Sequence, residues 1–217
     1  MKISYCITAC NEHQELENLL RFLSVKVRPE DEVIVQLDVN HTDQVLEVCN
    51  LFTNFNHDGN VHTHEIKNSK FYAFPLDNDF ARFKNNLANN ASGDYIFQID
   101  ADEIPHAHLV ENLPEVLESN PLVEMYLVPR VNTVKDLTES HIKKWGWSVN
   151  ERGWVNWPDY QTRIYKRTSY IKWSGKVHEQ ISGHTHFACI PMEEEWALNH
   201  PKTIERQIKQ NSYYDTI

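Results

Sequence analysis

A short apolar run leads directly into two acids in the stretch Tyr95-Ile96-Phe97-Gln98-Ile99-Asp100-Ala101-Asp102. The run predicts a buried strand, with Asp100 and Asp102 at the point where that strand meets a loop. Two carboxylates one residue apart can hold a divalent cation while leaving coordination positions open. Such an open site suits the oxygens of a nucleotide diphosphate, so the chemistry predicted for the chain depends on whether this pair binds metal.

Around this stretch, strand-like and helix-like segments alternate through the first half of the chain. The predicted strands are residues 2–8, 31–37, 61–66 and 94–99, and apolar residues recur at helical spacing between them. The second helix would begin at Thr42 or Asp43, and the third near Asp77 or Asp79. This order predicts an α/β fold with a Rossmann-like, mostly parallel sheet flanked by helices. Ligands bind such sheets at the carboxyl ends of strands, where the two acids would lie.

The second half is less regular. It predicts a helix near 109–117 that Pro114 could split, a strand at 122–129 and a terminal helix at 203–214. Residues 161–166 and 170–173 could pair as strands around a turn at 167–169. We expect one domain, 1–217, in which a nucleotide-binding half (1–103) runs into a substrate-binding half (104–217).

Composition limits the classes of partner. The formal net charge of −10 argues against nucleic acid as the main partner and against a polybasic membrane anchor. An excess of carboxylates fits a protein that binds a cation. Hydrophobic residues make up 41% of the 217 residues, enough for a sizeable core.

The cysteines and the N-terminus bear on location. The four cysteines, Cys6, Cys10, Cys49 and Cys189, match no zinc spacing and no disulfide framework. The N-terminal residues show no signal-peptide pattern, and no apolar run approaches the ~18 residues of a membrane span. We therefore expect reduced thiols, no transmembrane segment and a cytoplasmic protein that can also act peripherally at a membrane face.

Five motifs, in order and at matching spacings, resemble family-2 glycosyltransferases of the GT-A fold. They are residues 3–12, which end in Asn11-Glu12; the acidic turn 38–43; Lys84-Asn85 ahead of residues 91–96; Asp100-Ala101-Asp102-Glu103; and residues 173–179, Trp-Ser-Gly-Lys-Val-His-Glu. Lys84 stands where the family more often has arginine. The last motif is similar to the branch that includes lipopolysaccharide-core and peptide glycosyltransferases.

This resemblance, which covers most of the chain, implies a metal-dependent, inverting glycosyltransferase. It would move a sugar from a nucleotide-diphosphate donor, most simply a UDP-sugar, to the hydroxyl of a glycan, a lipid-linked sugar or a protein. Residues 1–103 would then bind the nucleotide sugar, and residues 104–217 the acceptor.

The predicted metal ligands are Asp100, Asp102 and a late histidine. Asp102 would contact the ion directly, whereas Asp100 would bind it, through water if necessary, or reach the ribose. His178 and His200 compete for the third position, with His200 favoured because it precedes the terminal helix. An imidazole beside carboxylates favours Mn²⁺ over Mg²⁺.

The predicted donor contacts lie at three strand ends. The resemblance implies that Thr8, Ala9, Asn11, Glu12 and Asp38 hold the base and ribose, although Asn11 and Glu12 fit ordinary helix-start chemistry equally well. The remaining donor contacts are Lys84, Asp100 and Ala101, with Lys84 at the diphosphate. Arg163 is a further candidate for phosphate or acceptor.

The candidate general base is Glu179. An inverting transfer needs one carboxylate that takes the proton of the acceptor hydroxyl. The cluster Trp145, Trp147, Trp154 and Trp157 predicts one or two rings at the acceptor site and the rest in the core. The two His-x-His pairs, at 62–64 and 184–186, are interpreted as exposed strand faces, since neither has a third ligand nearby.

Two other functions remain open at this stage. A nucleotidyltransferase would also use strand-end carboxylates and a metal, but residues 8–12 (Thr-Ala-Cys-Asn-Glu) lack the glycine and basic residues that such enzymes place after the first strand. A non-catalytic module that binds sugar or nucleotide would have no need for Glu179.

Overall fold

The computed structural model describes residues 1–52 and 66–214. Its first half holds β1 (Ile3–Ala9), α1 (His13–Lys26), β2 (Glu32–Asp38), α2 (Asp43–Phe52), β3 (Ser69–Phe74), α3 (Phe80–Asn89) and β4 (Tyr95–Asp100). Its second half holds β5 (Ile104–Pro105), α4 (Ala107–Ser119), β6 (Met125–Val128), β7 (Arg130–Lys135), α5 (Glu139–Trp145), β8 (Gln161–Lys166), β9 (Lys172–Ser174), β10 (Gln180–Ser182), β11 (Phe187–Cys189), β12 (Leu198–Thr203) and α6 (Ile204–Tyr214).

Seven strands form the central sheet, in the order β11-β6-β8-β4-β1-β2-β3. Strand β1 lies between β2 and β4 and is parallel to both, β3 is parallel to β2, and β11 is parallel to β6. Among the strands of this sheet in the described residues, β8 alone runs antiparallel to its neighbours, β4 and β6. The predicted α/β architecture with a mostly parallel sheet is confirmed.

Helices cover both faces of this sheet. On one face, α1 buries Leu16, Leu19, Leu20 and Leu23 in a core that α2 and α4 complete. On the other face, α3 packs with the β9–β10 hairpin over Cys6, Ile34 and Ile96. Because strand residues alternate between faces, β1, β2 and β4 are buried on both sides, as their near-continuous apolar sequences predict.

Two smaller sheets place further residues near the carboxyl ends of the central strands. The hairpin β9–β10 pairs Trp173 with Ile181, so that Glu179 ends its loop. In the sheet β5-β12-β7, His200 of β12 lies opposite Asn132 of β7.

One strand pairing differs from the prediction, and one predicted strand cannot be compared. The proposed pairing of 161–166 with 170–173 is wrong: β8 inserts between β4 and β6, and β9 pairs with β10 instead. Residues Arg163, Ile164 and Tyr165 are all buried, and a two-stranded hairpin could not cover both of their faces. The strand predicted at 61–66 lies outside the described residues except for Ile66, which belongs to no strand, and the strand beside β2 is Ser69–Phe74.

Other boundaries agree closely with the sequence patterns. Asp79 caps α3, and its carboxylate accepts a hydrogen bond from the backbone N–H of Arg82 at 2.8 Å. Helix α4 runs unbroken through Pro114.

In the part of the chain that the structure describes, no helix has the length and apolar character needed to cross a bilayer.

A buried carboxylate ties the β11 edge to the sheet. Glu124 accepts hydrogen bonds from the backbone N–H of Thr185 at 2.6 Å, the hydroxyl of Tyr170 at 2.8 Å and the hydroxyl of Thr185 at 2.9 Å. These donors favour the ionised form, and they lower the pKa of Glu124 to about 2.

Candidate active site

The site begins where β1 and β4 end side by side. Thr8 lies opposite Asp100 in the parallel register, and its hydroxyl donates to Asp100 Oδ1 at 3.3 Å. The backbone N–H of Ala101 donates to the carbonyl of Thr8 at 3.2 Å. The predicted position of the Asp-x-Asp pair at a strand end is therefore correct.

Asp100 faces two cationic side chains. Its Oδ2 accepts from Arg163 at 2.7 Å, and its Oδ1 lies 3.4 Å from Lys84 Nζ. Burial raises the pKa of this carboxyl, but the charges of Arg163 and Lys84 outweigh that effect and hold the pKa well below its usual range. The side chain remains 32% exposed, so one side of it stays open to a ligand.

Glu103, directly after the pair, anchors the arginine. It is fully buried and accepts from Arg163 through Nε at 2.9 Å and through the second guanidinium nitrogen at 2.6 Å. Arg130 donates to the same carboxylate at 2.9 Å. Two arginines on one buried carboxylate make a rigid support beneath Asp100.

The network continues from Arg130 to the last histidine of the chain. Arg130 and the side-chain amide of Asn132 both donate to Asp159 Oδ2, at 2.7 and 2.6 Å. The carbonyl oxygen of Asn132 lies 2.6 Å from His200 Nδ1. A carboxylate only accepts, which orients the amide and assigns the proton on His200 to Nδ1.

The unprotonated nitrogen of His200, Nε2, faces Asp102. Its Nε2 lies 3.3 Å from Asp102 Oδ2. Burial lowers the pKa of His200 more than the neighbouring carboxylate raises it, so the ring is neutral at pH 7. A lone pair of His200 Nε2 and a lone pair of Asp102 Oδ2 therefore face each other. A cation between the two atoms would bind both lone pairs.

The spacing suits a metal ion. Two ligands about 2.1 Å from one cation stand about 3.0 Å apart at a right angle and about 3.4 Å apart at a tetrahedral angle. Within residues 1–52 and 66–214, however, no three His, Cys, Asp or Glu side chains are arranged around one metal position. Asp100, predicted as a third ligand, instead lies against Arg163 and Lys84.

Arg206 of α6 is a second cation beside Asp102. Its guanidinium lies 3.3 Å from Asp102 Oδ2 and 3.7 Å from Glu12 Oε1, and it donates to Glu15. It connects the terminal helix to α1 and to the site. Its positive charge acts directly on the Asp102 carboxylate.

Lys84 joins the base candidate to this edge of the sheet. It is buried in α3, donates to Glu179 Oε1 at 2.6 Å and lies 4.7 Å from the centre of the Trp173 ring. One ammonium group thus contacts both Glu179 and Asp100, although 95 residues separate Lys84 from Glu179 in the chain.

The predicted nucleoside residues surround the ends of β1 and β2. Asp38 is buried, and among the described residues its Oδ1 receives two long backbone contacts, each of 3.4 Å, from Asn40 and Leu76. Glu12 instead turns back to accept from the N–H groups of Cys10 and Asn11 at 2.8 and 3.0 Å. Glu12 therefore shapes this turn. Ala9 is buried and Asn11 exposed at the same turn.

The remaining histidines lie elsewhere. His178 is exposed in the hairpin loop beside Glu179, and Asp102 contacts His200 instead. His186 is exposed, and His184 lies edge-on to Phe187 near β11. The pair His62 and His64 lies outside the described residues.

The tryptophans divide into two groups. Trp154 and Trp157 pack in a small core with Val131. Trp145 and Trp147 lie in none of the buried clusters of the described residues, and their rings are tilted by 46° with centres 4.7 Å apart. Both rings are partly exposed, and Trp145 also stacks on His141.

Sequence reasoning assigned no role to several residues of the network, namely Glu103, Arg130, Asn132, Asp159 and Arg206. Glu103 carried a signal, because a third acid directly after the Asp-x-Asp pair is unusual for an exposed turn. Asn132 and Asp159 belong to a segment with weak periodicity, Arg130 precedes it, and Arg206 lies in the predicted terminal helix. Only the tertiary structure brings them together.

Comparisons with solved structures show the same fold. Staphylococcus aureus TarS, residues 1–349, aligns with a TM-score of 0.63 and 15% identity over 93% of this chain and 60% of that one. The complexes of TarS 1–349 with UDP and with UDP-GlcNAc align with TM-scores of 0.63 and 0.62, each at 14% identity over 93% of this chain. The chain spans about 60% of the length of these structures. No curated protein sequence matches it.

Such neighbours are GT-A glycosyltransferases, and the sheet with its strand-end acids has the GT-A fold. The chain belongs to glycosyl transferase family 2, whose model matches residues 4–187.

Proposed function

We propose that this chain is a metal-dependent, inverting glycosyltransferase that transfers a sugar from a UDP-sugar to an acceptor hydroxyl. The observation that carries the proposal is the pair Asp102 and His200. Residues 98 positions apart present a carboxylate oxygen and a bare imidazole nitrogen to each other at 3.3 Å, beside the open side of Asp100.

Asp102 and His200 would hold the metal, which we take to be Mn²⁺ rather than Mg²⁺ because one ligand is nitrogen. The chemistry that a divalent cation supplies here is neutralisation of the charge that grows on a leaving diphosphate. Since the described residues offer two side chains to the metal, oxygens of the diphosphate and of water would complete its ligand set. Arg206 occupies one side of Asp102 and limits the direction from which these oxygens approach.

The donor would lie along the ends of β1, β2 and β4. Asp38 holds a buried carboxylate whose hydrogen bonds within residues 1–52 and 66–214 are long, which suits hydrogen bonds from a base or ribose. Thr8, Ala9 and Asn11 form the wall of the turn that Glu12 closes. Lys84 and Arg163 supply positive charge beside Asp100 and Ala101, where the diphosphate would lie. The UDP and UDP-GlcNAc complexes of TarS support the choice of a uridine donor.

Glu179 would accept the proton of the attacking hydroxyl. The Lys84 ammonium donates a hydrogen bond to its Oε1, and we assign Oε2 to the acceptor. One base is sufficient for a single displacement with inversion, because the hydroxyl attacks from the face opposite the leaving diphosphate.

We place the acceptor on the part of the domain formed by residues 104–217 and the donor on residues 1–103. The partly exposed pair Trp145 and Trp147 suits a sugar ring, since flat aromatic rings stack on its C–H faces. A cytoplasmic location accords with four cysteines that form no disulfide.

The proposal is tested by calorimetry of UDP binding with and without Mn²⁺. Wild type is compared with Asp102→Ala and His200→Ala, and Asp136→Asn on an exposed turn is the matched control. Wild type and control should bind UDP only with Mn²⁺. Each site variant should weaken that binding by at least about 100-fold, because loss of a direct ligand costs more than the about 10–100-fold typical of outer partners.

Turnover is measured next, as hydrolysis of a panel of UDP-sugars that includes UDP-GlcNAc. Glu179→Gln should leave UDP affinity unchanged and lower hydrolysis at least about 100-fold. Metal-independent UDP binding would refute the role of the Asp102–His200 pair. Binding without turnover of any sugar would favour a non-catalytic module.

A further inference from the structure

Asn85 makes a two-point contact with the backbone of β9. Its side-chain amide donates to the carbonyl of Trp173 at 2.8 Å, and its carbonyl oxygen accepts from the N–H of the same residue at 3.0 Å. Both polar groups of one side chain are therefore committed to one residue of a neighbouring strand. Such a reciprocal pair fixes the position of the strand and also its rotation about its own axis.

The strand held in this way leads directly to Glu179. Trp173 lies opposite Ile181 in the β9–β10 hairpin, and Glu179 is the last residue of the loop between these strands. A second contact, from the backbone N–H of Phe80 to the carbonyl of Lys176 at 2.9 Å, holds the middle of the loop to the start of α3. Helix α3 is thus hydrogen-bonded to the hairpin at two positions, Trp173 and Lys176.

The neighbouring residue in α3 contacts the site itself. Successive helical residues point about 100° apart, so Lys84 and Asn85 leave α3 in different directions. Lys84 reaches Glu179 and Asp100, while Asn85 reaches Trp173. The helix is fastened to β2 at this level, where Gln36 donates to the carbonyl of Phe83 at 2.7 Å.

We propose that Asn85 is a positioning residue that sets the Glu179 carboxylate relative to Lys84 and the diphosphate end of the site. The inference rests on the proposed role of Glu179 as the base. Asn85 touches neither donor nor acceptor and acts only through the hairpin. A displacement of about 1 Å at a reacting group can cost about 100-fold in rate, so the two hydrogen bonds matter more for turnover than for binding.

The kinetic test compares wild type, Asn85→Ala, Glu179→Gln and the double variant in UDP-sugar hydrolysis. Asn85→Ala should lower kcat about 30- to 100-fold and leave KM and the Mn²⁺-dependent UDP affinity within about threefold. In the Glu179→Gln background, Asn85→Ala should cost no more than about threefold, since the group that it positions is already gone. A residue with a merely structural role would give independent losses in both backgrounds.

Hydrogen exchange in the ligand-free protein tests the same inference without any donor. Exchange across residues 173–180 should quicken at least about tenfold in Asn85→Ala. The control is Asn90→Ala, whose side chain donates to the carbonyl of Asn86 within the same helix, and it should leave this segment unchanged. Asn85→Asp keeps the side-chain shape and the acceptor for the Trp173 N–H, and it replaces the alanine variant if the latter does not fold.

Unchanged exchange in residues 173–180 would overturn the inference, as would additive kinetic losses or a parallel fall in UDP affinity. A wild type that binds no UDP would refute the proposed function instead. The exchange measurement would still decide whether Asn85 holds the hairpin.

Discussion

Removal of the buried carboxylate of Glu103 should destabilise the whole protein. Glu103 is fully buried and accepts three hydrogen bonds of 2.6 to 2.9 Å from Arg163 and Arg130. The change Glu103→Gln keeps the volume of the side chain and removes its charge. Two buried guanidinium groups then share less negative charge, and one N–H group of the new amide points toward a donor.

The expected cost follows from the partners that remain. Breaking a buried ion pair typically costs about 3–5 kcal/mol. Arg163 keeps Asp100 at 2.7 Å and Arg130 keeps Asp159 at 2.7 Å, so we expect the lower end, about 3 kcal/mol. For a domain of this size, that free energy lowers Tm by about 6–12 °C.

The measurement is calorimetric or circular-dichroism melting of wild type and Glu103→Gln at pH 7. Glu118→Gln is the control, because that carboxylate is 60% exposed and its loss should change the free energy of unfolding by less than about 0.5 kcal/mol. A Tm within about 2 °C of wild type would show that Glu103 does not hold the two arginines in solution.

Two further predictions concern turnover and acid stability. Lys84→Met should lower the rate of UDP-sugar hydrolysis at least about tenfold, because Glu179 loses its ammonium partner. The control Arg82→Met changes an exposed residue of the same helix and should leave the rate unchanged. Equal rates for wild type and Lys84→Met would contradict the role of Lys84. The pKa of Glu124 is lowered from about 4.5 to about 2, so the ionised carboxylate stabilises the fold above about pH 4.5, and this stabilisation is lost as the pH falls toward about 2. The Tm difference between wild type and Glu124→Gln should therefore be largest near pH 7 and shrink toward pH 2. A difference that stays constant would show that Glu124 does not cause the loss of stability in acid.

Much of the first half of the fold could be predicted from the sequence. Continuous apolar runs identified β1, β2 and β4 because strands buried on both faces have no polar alternation. The position of Asp100 and Asp102 followed from the end of one such run. Asp38 was found by the same reasoning at the end of β2.

Pairings between distant segments could not be predicted in this way. Strand β8 was predicted to pair with residues 170–173 across a three-residue turn, yet it inserts between β4 and β6. The edge strand β3 was missed because its half-buried residues show no clear period. Strand pairing depends on which surfaces remain to be covered once the core has formed, and local sequence does not record this.

The sequence by itself determined the family, the parallel core and the acids at its edge, because motifs and hydrophobic periods are local properties of the chain. Only the tertiary structure decided how those acids are used. In the folded chain, Asp100 lies against Arg163 and Lys84. Glu12 accepts hydrogen bonds within its own loop. His200 lies beside Asp102 and is held by a network that contains Asn132, Asp159 and Arg130. The physical reason is that a charge's partner, and therefore its protonation and its availability to a ligand, is set by neighbours in space, many of which lie far away in the chain.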